Sequence, residues 1–143
     1  MTTILYKAKY RVYWSETDAA GIMHFSNHFR VCERVEESFL RSLGFQYTAG
    51  SRITFPRVHA ECDYKAPLRA GDEYTVAITG VELGRSSVTY KFSIYNESLG
   101  REAARCVIVA VAYDNIERRP VELPAECRSA IENALRELET EQA

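Results

Sequence analysis

One carboxylate stands directly before a segment with helical periodicity, a position suited to acyl-transfer chemistry. Asp18 is followed by Ala19, Ala20 and Gly21, and from Phe25 onward apolar residues recur every three or four positions. The first amides of a helix can bind an oxyanion while a nearby carboxylate attacks a carbonyl or activates water. The same residues are also typical of a turn, in which Asp18 accepts a backbone hydrogen bond and Gly21 is left-handed. Spacing alone favours the turn.

Two further groups of polar residues are candidates for chemistry. His24 and His28 are four residues apart, the spacing of two metal ligands on one helix face, but they lack a third ligand and the HExxH pattern. The glutamates Glu33, Glu36 and Glu37 are interleaved with arginines, which is more typical of a solvated helix face than of a general base. Both groups are interpreted as structural, and no metal site is predicted.

The turn Gly84-Arg85-Ser86-Ser87 separates two predicted strands and carries one guanidinium and two hydroxyl groups. Such groups can hold a phosphate, although glycine with polar residues is also ordinary turn chemistry. Four of the 18 basic residues are lysine and the remaining 14 are arginine. Because arginine binds phosphate through two parallel hydrogen bonds, this bias favours a phosphate-bearing ligand.

The elements that must position these residues follow two periodicities. Alternation of apolar and polar side chains predicts strands over 4–14, 73–83 and 86–96, and the segments 52–65 and 101–114 are also expected to be extended. The segment 101–114 is the most apolar and is therefore placed inside the sheet. One strand, one long helix and four strands predict the α+β class. The expected architecture is a five-stranded antiparallel sheet around one long helix, with a C-terminal helix, in a single domain spanning residues 1–143.

The long helix is predicted from its apolar stripe and its ends. Ser26 or Asn27 is the expected N-cap, and Gly44 stands where a helix commonly ends. Pro124 is suited to the first turn of the closing helix. The stripe of the long helix consists of Phe25, Phe29, Cys32, Val35, Phe39 and Leu43.

Composition and charge narrow the class of partner. The formal charge is −2, with a hydrophobic share of 46%, which indicates a globular protein and gives no sign of a nucleic-acid partner. Residues 120–143 hold six glutamates and two arginines, so the rest of the chain is slightly positive and compatible with an anionic ligand. Four cysteines without CxxC spacing predict reduced thiols and a cytoplasmic location. The longest apolar run has eight residues, so no membrane insertion is expected.

Two segments resemble a known family. The stretch Arg11–Asn27, with the helix that follows it to Gly44, is similar to the active-site signature of hotdog-fold acyl-CoA thioesterases of the 4-hydroxybenzoyl-CoA thioesterase family. The stretch Tyr64–Asp72 resembles a second landmark of that family, where one strand ends and the next begins. The resemblance covers about residues 5–115, and the separation of the two landmarks is also that of the family.

The resemblance implies a hotdog fold and hydrolysis of an acyl-CoA thioester to the free acid and CoA without a cofactor. It also implies a homodimer or homotetramer whose subunits complete each other's active sites. By correspondence, Asp18 is the catalytic carboxylate, acting as nucleophile or general base, and the Phe25 amide is the oxyanion donor. Some family members carry histidine at the position of Phe25, and others use a helix glutamate, for which Glu33 is the reserve candidate. The expected substrate-binding residues are Gly21, His24, Arg85, Ser86 and Ser87.

Several alternatives stay open at this stage. A hotdog protein can also be a non-catalytic module that binds acyl-CoA or an acyl-carrier protein. A metal hydrolase that uses His24 and His28 is a further hypothesis. The aromatic share of 11% is compatible with an aromatic acyl group, but most aromatic side chains of a small protein lie in its core. Aromatic and aliphatic acyl groups therefore both remain.

Overall fold

Regular structure fills most of the computed structural model, which describes residues 3–45 and 50–142. The helices are α1 (Phe25–Ser42) and α2 (Ala125–Gln142). The strands are β1 (Tyr6–Arg11), β2 (Ile53–Thr54), β3 (Arg57–Tyr64), β4 (Glu73–Leu83), β5 (Ser87–Asn96), β6 (Arg101–Val111), β7 (Tyr113–Asp114) and β8 (Arg119–Pro120).

The main sheet has five antiparallel strands in the order β1-β4-β5-β6-β3. The apolar strand β6 is paired on both sides, as its composition predicts, whereas β1 and β3 are the edges of this sheet. The helix α1 packs against β1, β3, β4 and β6. The predicted α+β class, with a five-stranded sheet around one long helix, is confirmed.

The buried face of α1 differs from the predicted stripe. Val31, Cys32, Val35 and Phe39 are buried in the core, but Phe25 is 63% exposed. The stripe is rotated because two polar residues, His28 and Glu36, occupy buried positions between the apolar ones. The interpretation of Glu36 as part of a solvated face is therefore wrong, since its exposed fraction is only 4%.

The predicted extended segment 52–65 is divided into two strands. Pro56 has no amide hydrogen to donate to a ladder, and the chain changes sheets there. The strand β2 joins β7 and β8 in a small second sheet, while β3 continues on the edge of the main sheet. The Pro56 carbonyl still accepts a hydrogen bond from the Val111 amide at 3.0 Å, which keeps the two sheets adjacent.

The closing helix and the cysteines agree with the sequence. In α2, Cys127 and Ile131 are buried, and Ala134 and Leu135 pack against the same core. All four cysteines are free thiols. Among the described residues, neither helix is both long enough and apolar enough to cross a lipid bilayer.

One ion pair joins the residue before β2 to β7 within the small sheet. The Asp114 carboxylate accepts hydrogen bonds from Arg52 Nε at 3.0 Å and Arg52 Nη2 at 2.8 Å. Its other oxygen accepts from the amides of Ile116 and Glu117. These hydrogen bonds, above all those from Arg52, lower the pKa of Asp114 to about 2.

This lowered pKa predicts a specific acid sensitivity. Because the folded-state pKa lies below the ordinary value of 3.8, Asp114 stabilises the fold above pH 3.8, and that contribution is lost as the pH falls toward about 2. Asp114→Asn should lower the melting temperature at neutral pH and flatten this acid-range loss, as followed by circular dichroism. A variant with the wild-type melting temperature at neutral pH would contradict the assignment.

Candidate active site

The loop that carries Asp18 is a closed turn. The Asp18 amide donates to the Ile22 carbonyl at 2.9 Å, and the Gly21 amide donates to the Asp18 carbonyl at 3.0 Å. Asp18 Oδ1 accepts from the Ala20 amide at 2.8 Å, and Gly21 has a φ of +78°. The predicted turn is therefore present. It occupies only Oδ1, because Oδ2 has no hydrogen-bond partner within residues 3–45 and 50–142.

Among the described residues, the first turn of α1 has an amide without a hydrogen-bond acceptor. His24, not Ser26 or Asn27, is the N-cap: its backbone is extended, and its Nδ1 accepts from the Ser26 amide at 3.3 Å. The predicted cap is thus wrong by two residues or more. The Phe25 amide has no acceptor in the part of the chain that the structure describes. A free N–H at the start of an 18-residue helix is suited to an oxyanion.

A cavity of about 360 Å³ brings Asp18 and the start of α1 together. Its walls come from both segments that carry the family resemblance, the Asp18 loop and the connection between β3 and β4. Backbone pairing holds the two segments in place, since Ile22 forms a bridge with Arg69 and the Met23 amide donates to the Leu68 carbonyl at 2.7 Å. The lining residues are Asp18, Ile22, Met23, Phe25, His28, Tyr64, Lys65, Ala66, Pro67 and Leu68.

Two of the lining residues that the sequence did not predict as catalytic or substrate-binding residues contact each other beside the start of α1. His28 is 4% exposed, and its burial lowers its pKa, which favours the neutral imidazole. Tyr64 packs edge-on against the His28 ring with centroids 4.7 Å apart, and its hydroxyl donates to the Phe25 carbonyl at 2.7 Å. Partial burial and the nearby Cys62 raise the pKa of Tyr64 to about 12, so the phenol stays protonated. The link between Tyr64 and α1 joins residues 39 positions apart, which no local pattern reveals.

The five predicted substrate-binding residues do not line this cavity. Gly21 shapes the turn, and His24 caps the helix. Arg85, Ser86 and Ser87 follow the last residue of β4. The first residue of β4, Glu73, pairs with Arg11 at the end of β1 that leads into the Asp18 loop. The 11 residues of β4 span about 36 Å at roughly 3.3 Å per residue, so within one chain this turn and Asp18 are at opposite ends of the sheet.

The remaining candidates have structural contacts. Glu33 is exposed and pairs with Arg57 at 3.2 Å rather than lining the cavity. His24 Nδ1 contacts the Ser26 hydroxyl, whereas His28 Nδ1 contacts the Phe25 carbonyl. Among the described residues, no group of three or more His, Cys, Asp or Glu side chains is arranged to hold a metal ion.

Comparison with known proteins identifies the family. A model described as the thioesterase-like superfamily matches residues 12–131. The chain belongs to this superfamily. A 1,4-dihydroxy-2-naphthoyl-CoA hydrolase of Thermosynechococcus vestitus is 32% identical over 129 residues, which cover 86% of this chain and 88% of the relative.

Solved structures named as thioesterases share the fold. A 1,4-dihydroxy-2-naphthoyl-CoA thioesterase from Synechocystis superposes with a TM-score of 0.81 at 26% identity, covering 88% of this chain and 94% of that one. A gentisyl-coenzyme A thioesterase superposes with a TM-score of 0.76 at 27% identity, covering 85% and 98%. The predicted hotdog fold, family and thioester hydrolase class are confirmed.

The geometry of the Asp18 turn predicts a cost for Gly21→Ala. A Cβ at Gly21 meets no atom within 4 Å, so the cost comes from the backbone at φ +78° and amounts to about 1–2 kcal/mol of stability. Because relaxation of this strain moves Asp18, we expect acyl-CoA turnover to fall by about tenfold or more.

A matched control separates strain from the position of Asp18. Gly100 has a φ of +76° and equally open space, but it lies in the β5–β6 hairpin and is not part of the Asp18 turn. Gly100→Ala should lose similar stability in urea unfolding and keep its turnover. Equal turnover losses in the two variants would refute a special role for the Asp18 turn.

Proposed function

We propose that this chain hydrolyses acyl-CoA thioesters to the free acid and CoA, with Asp18 as the catalytic carboxylate and the Phe25 amide as the oxyanion donor. The observation that carries this proposal is the cavity shared by Asp18 and the start of α1. Both groups have unused hydrogen-bonding capacity there, Asp18 at Oδ2 and Phe25 at its amide. The named activities of the relatives support the same reaction class.

Two routes use these groups. In the first, an Asp18 oxygen bonds to the thioester carbonyl carbon, the C–S bond breaks with release of CoA, and water hydrolyses the resulting mixed anhydride. In the second, Asp18 takes a proton from a water molecule that attacks the same carbon. The Phe25 amide donates to the negative oxygen that forms in either route, a contribution of about 2.7–4 kcal/mol for a single donor. Heavy oxygen from labelled solvent water in the Asp18 carboxyl group would identify the first route.

Tyr64 and His28 act on the geometry of the helix start. The Tyr64 hydroxyl donates to the Phe25 carbonyl, and the buried His28 ring packs beside it. These contacts tie the end of β3 to the first turn of α1, so the amide of Phe25 is held in one orientation. We assign them positioning roles.

The acyl group that fits best is aromatic. Three relatives are named for aromatic substrates, two for 1,4-dihydroxy-2-naphthoyl-CoA and one for gentisyl-coenzyme A. The cavity here is bordered by the Phe25, His28 and Tyr64 rings and by the apolar residues Ile22 and Met23. Such surfaces are suited to contact with the part of a flat aromatic acyl group that adjoins its thioester carbonyl.

A second copy of the chain would complete the site. Seven of the eight residues of β3 are exposed, although β3 is a regular strand on the edge of the main sheet. If β3 pairs with β3 of a second copy about a two-fold axis, the two strands are antiparallel. Each copy then covers the exposed β3 edge of the other. It would bring the partner's Arg85 turn toward this chain's Asp18 end, where the CoA phosphates need cations. We therefore propose a homodimer as the minimal unit; a cytoplasmic location remains a prediction from the free cysteines.

The charge of Asp18 is tested by two substitutions. Asp18→Asn keeps an oxygen acceptor for the Ala20 amide and so preserves the turn, whereas Asp18→Ala removes it. Both should lower kcat for a panel of aromatic and aliphatic acyl-CoA thioesters by orders of magnitude, measured by thiol release. Near-normal turnover in both variants, with melting temperatures like the wild type, would refute the assignment.

The role of the Phe25 amide can be tested although it belongs to the backbone. Proline is well tolerated at the first helical position, and the extended His24 backbone (φ −61°, ψ 138°) suits a residue before proline. Phe25→Pro removes the N–H and should lower kcat by about 100- to 1,000-fold, the effect of losing one oxyanion donor.

The control for this substitution is Phe25→Ala, which removes the same ring and keeps the N–H. It should lose far less kcat than Phe25→Pro. Similar kcat values for the two variants would show that the amide is not the donor.

A further inference from the structure

A second cavity lies further along α1, on the side of the edge strand β3. Its volume is about 190 Å³, and its mouth is bordered by the exposed residues Glu33, Glu37, Arg41 and Arg57. Its inner wall is mostly apolar. The described residues that form the inner wall are Glu36, Leu40, Phe45, Phe55, Val88, Tyr90 and Cys127.

Glu36 brings an unused acceptor into this wall. Its side chain is 5% exposed, and its Oε2 accepts from Arg57 Nη1 at 2.9 Å. Arg57 Nη2 approaches Oε1 to 2.8 Å without the alignment of a hydrogen bond, so among the residues that the structure describes Oε1 has no hydrogen-bond donor. Arg57 itself is also held by Glu33 at 3.2 Å. A buried carboxylate oxygen without a donor is destabilising, and a ligand that supplies the donor removes that cost.

The size and lining of the cavity identify the class of ligand. An apolar cavity of about 150 Å³ is known to bind benzene, so a volume of about 190 Å³ has room for one substituted aromatic ring. We propose that this cavity receives the ring of an aromatic acyl group and that Glu36 Oε1 accepts a hydrogen bond from a hydroxyl on that ring. Glu36 is then the residue that selects hydroxylated over unsubstituted aromatic acyl groups. This inference rests on the proposed thioesterase function.

The cavity serves the active site of a second copy rather than that of its own chain. Phe25 and Glu36 are 11 residues apart on α1, about 16 Å at 1.5 Å per residue, which is too far for a single-ring acyl group held at Phe25. The contacts of β3 show how the cavity can reach the active site of a second copy. Arg57 at one end of the strand contacts Glu36, and Tyr64 at the other end contacts Phe25. When β3 pairs antiparallel with its copy, each Arg57 end lies beside the partner's Tyr64 end.

The selectivity of the intact enzyme tests the role of Glu36. We expect kcat/KM to be about 10- to 100-fold higher for the better of 3-hydroxybenzoyl-CoA and 4-hydroxybenzoyl-CoA than for benzoyl-CoA, the effect of one hydrogen bond to a charged acceptor. Glu36→Met has a similar shape and should reduce this ratio to about one, while Glu36→Gln should retain part of it. The ratio does not depend on the fraction of folded enzyme. Glu82→Gln, which breaks the exposed pair with Lys91, should keep the wild-type ratio.

A preference that persists in Glu36→Met, or its absence in the wild type, would overturn the proposal. Direct binding separates this outcome from failure of the thioesterase function. Phenol and toluene can be added to the protein while the methyl signals of Leu40 and Val88, which line the cavity, are followed by NMR. If no acyl-CoA is hydrolysed, stronger binding of phenol than of toluene that is lost in Glu36→Met still supports the cavity. Equal binding of the two probes overturns it.

Mixed dimers test whether the cavity serves the partner's site. Asp18→Asn chains and Glu36→Met chains are co-expressed with different tags, and the mixed dimer is purified. One of its two sites then combines an intact Asp18 from one chain with an intact Glu36 from the other. Selective hydrolysis of the hydroxylated substrate should return to about half of the wild-type level. No recovery in the purified mixed dimer would overturn the placement of Glu36 in the partner's site.

Discussion

Two hydrogen bonds to one carbonyl oxygen hold the candidate active site together. The Glu16 carbonyl accepts from the His24 amide at 2.9 Å and from Asn27 Nδ2 at 2.8 Å. The chain before the Asp18 loop is therefore tied directly to the first turn of α1. Because the rest of that helix is anchored in the core by its apolar face, the carboxylate and the free Phe25 amide belong to one rigid unit.

The same helix carries two buried polar residues, His28 and Glu36, at positions where core helices usually carry apolar side chains. His28 and Glu36 are eight residues apart on the face that packs against the sheet, about 12 Å along the axis. Apolar residues at such positions would commonly be at least as stable. Each of the two residues lines one of the cavities along α1, so the stability lost through their burial is coupled to the places where a ligand can bind.

The edge strand β3 connects these two places. Its Tyr64 end is joined to the start of α1, and its Arg57 end is joined to Glu36. Under the proposed function, a single chain holds the two halves of an aromatic thioester site at separate ends of one strand. Antiparallel pairing of two copies would place the Arg57 end of each β3 beside the Tyr64 end of the other. The proposed dimer would then contain two complete sites, each built from both chains.

The sequence by itself determined the order of the long elements, the antiparallel sheet around α1 and the Asp18 turn, because alternation, helical periodicity and turn residues are local properties. The family followed from its resemblance to two known segments. The small sheet of β2, β7 and β8 was not predicted. The sequence misplaced the N-cap of α1, and it assigned Glu36 to the solvated face because a periodicity of apolar residues does not register a buried carboxylate. Only the tertiary structure decided that Tyr64 and His28 share a cavity with Asp18, that the Arg85 turn lies at the far end of the sheet, and that Arg57 pairs with Glu36. These relations join residues far apart in the chain, and they depend on which strands become neighbours when the sheet closes around the helix.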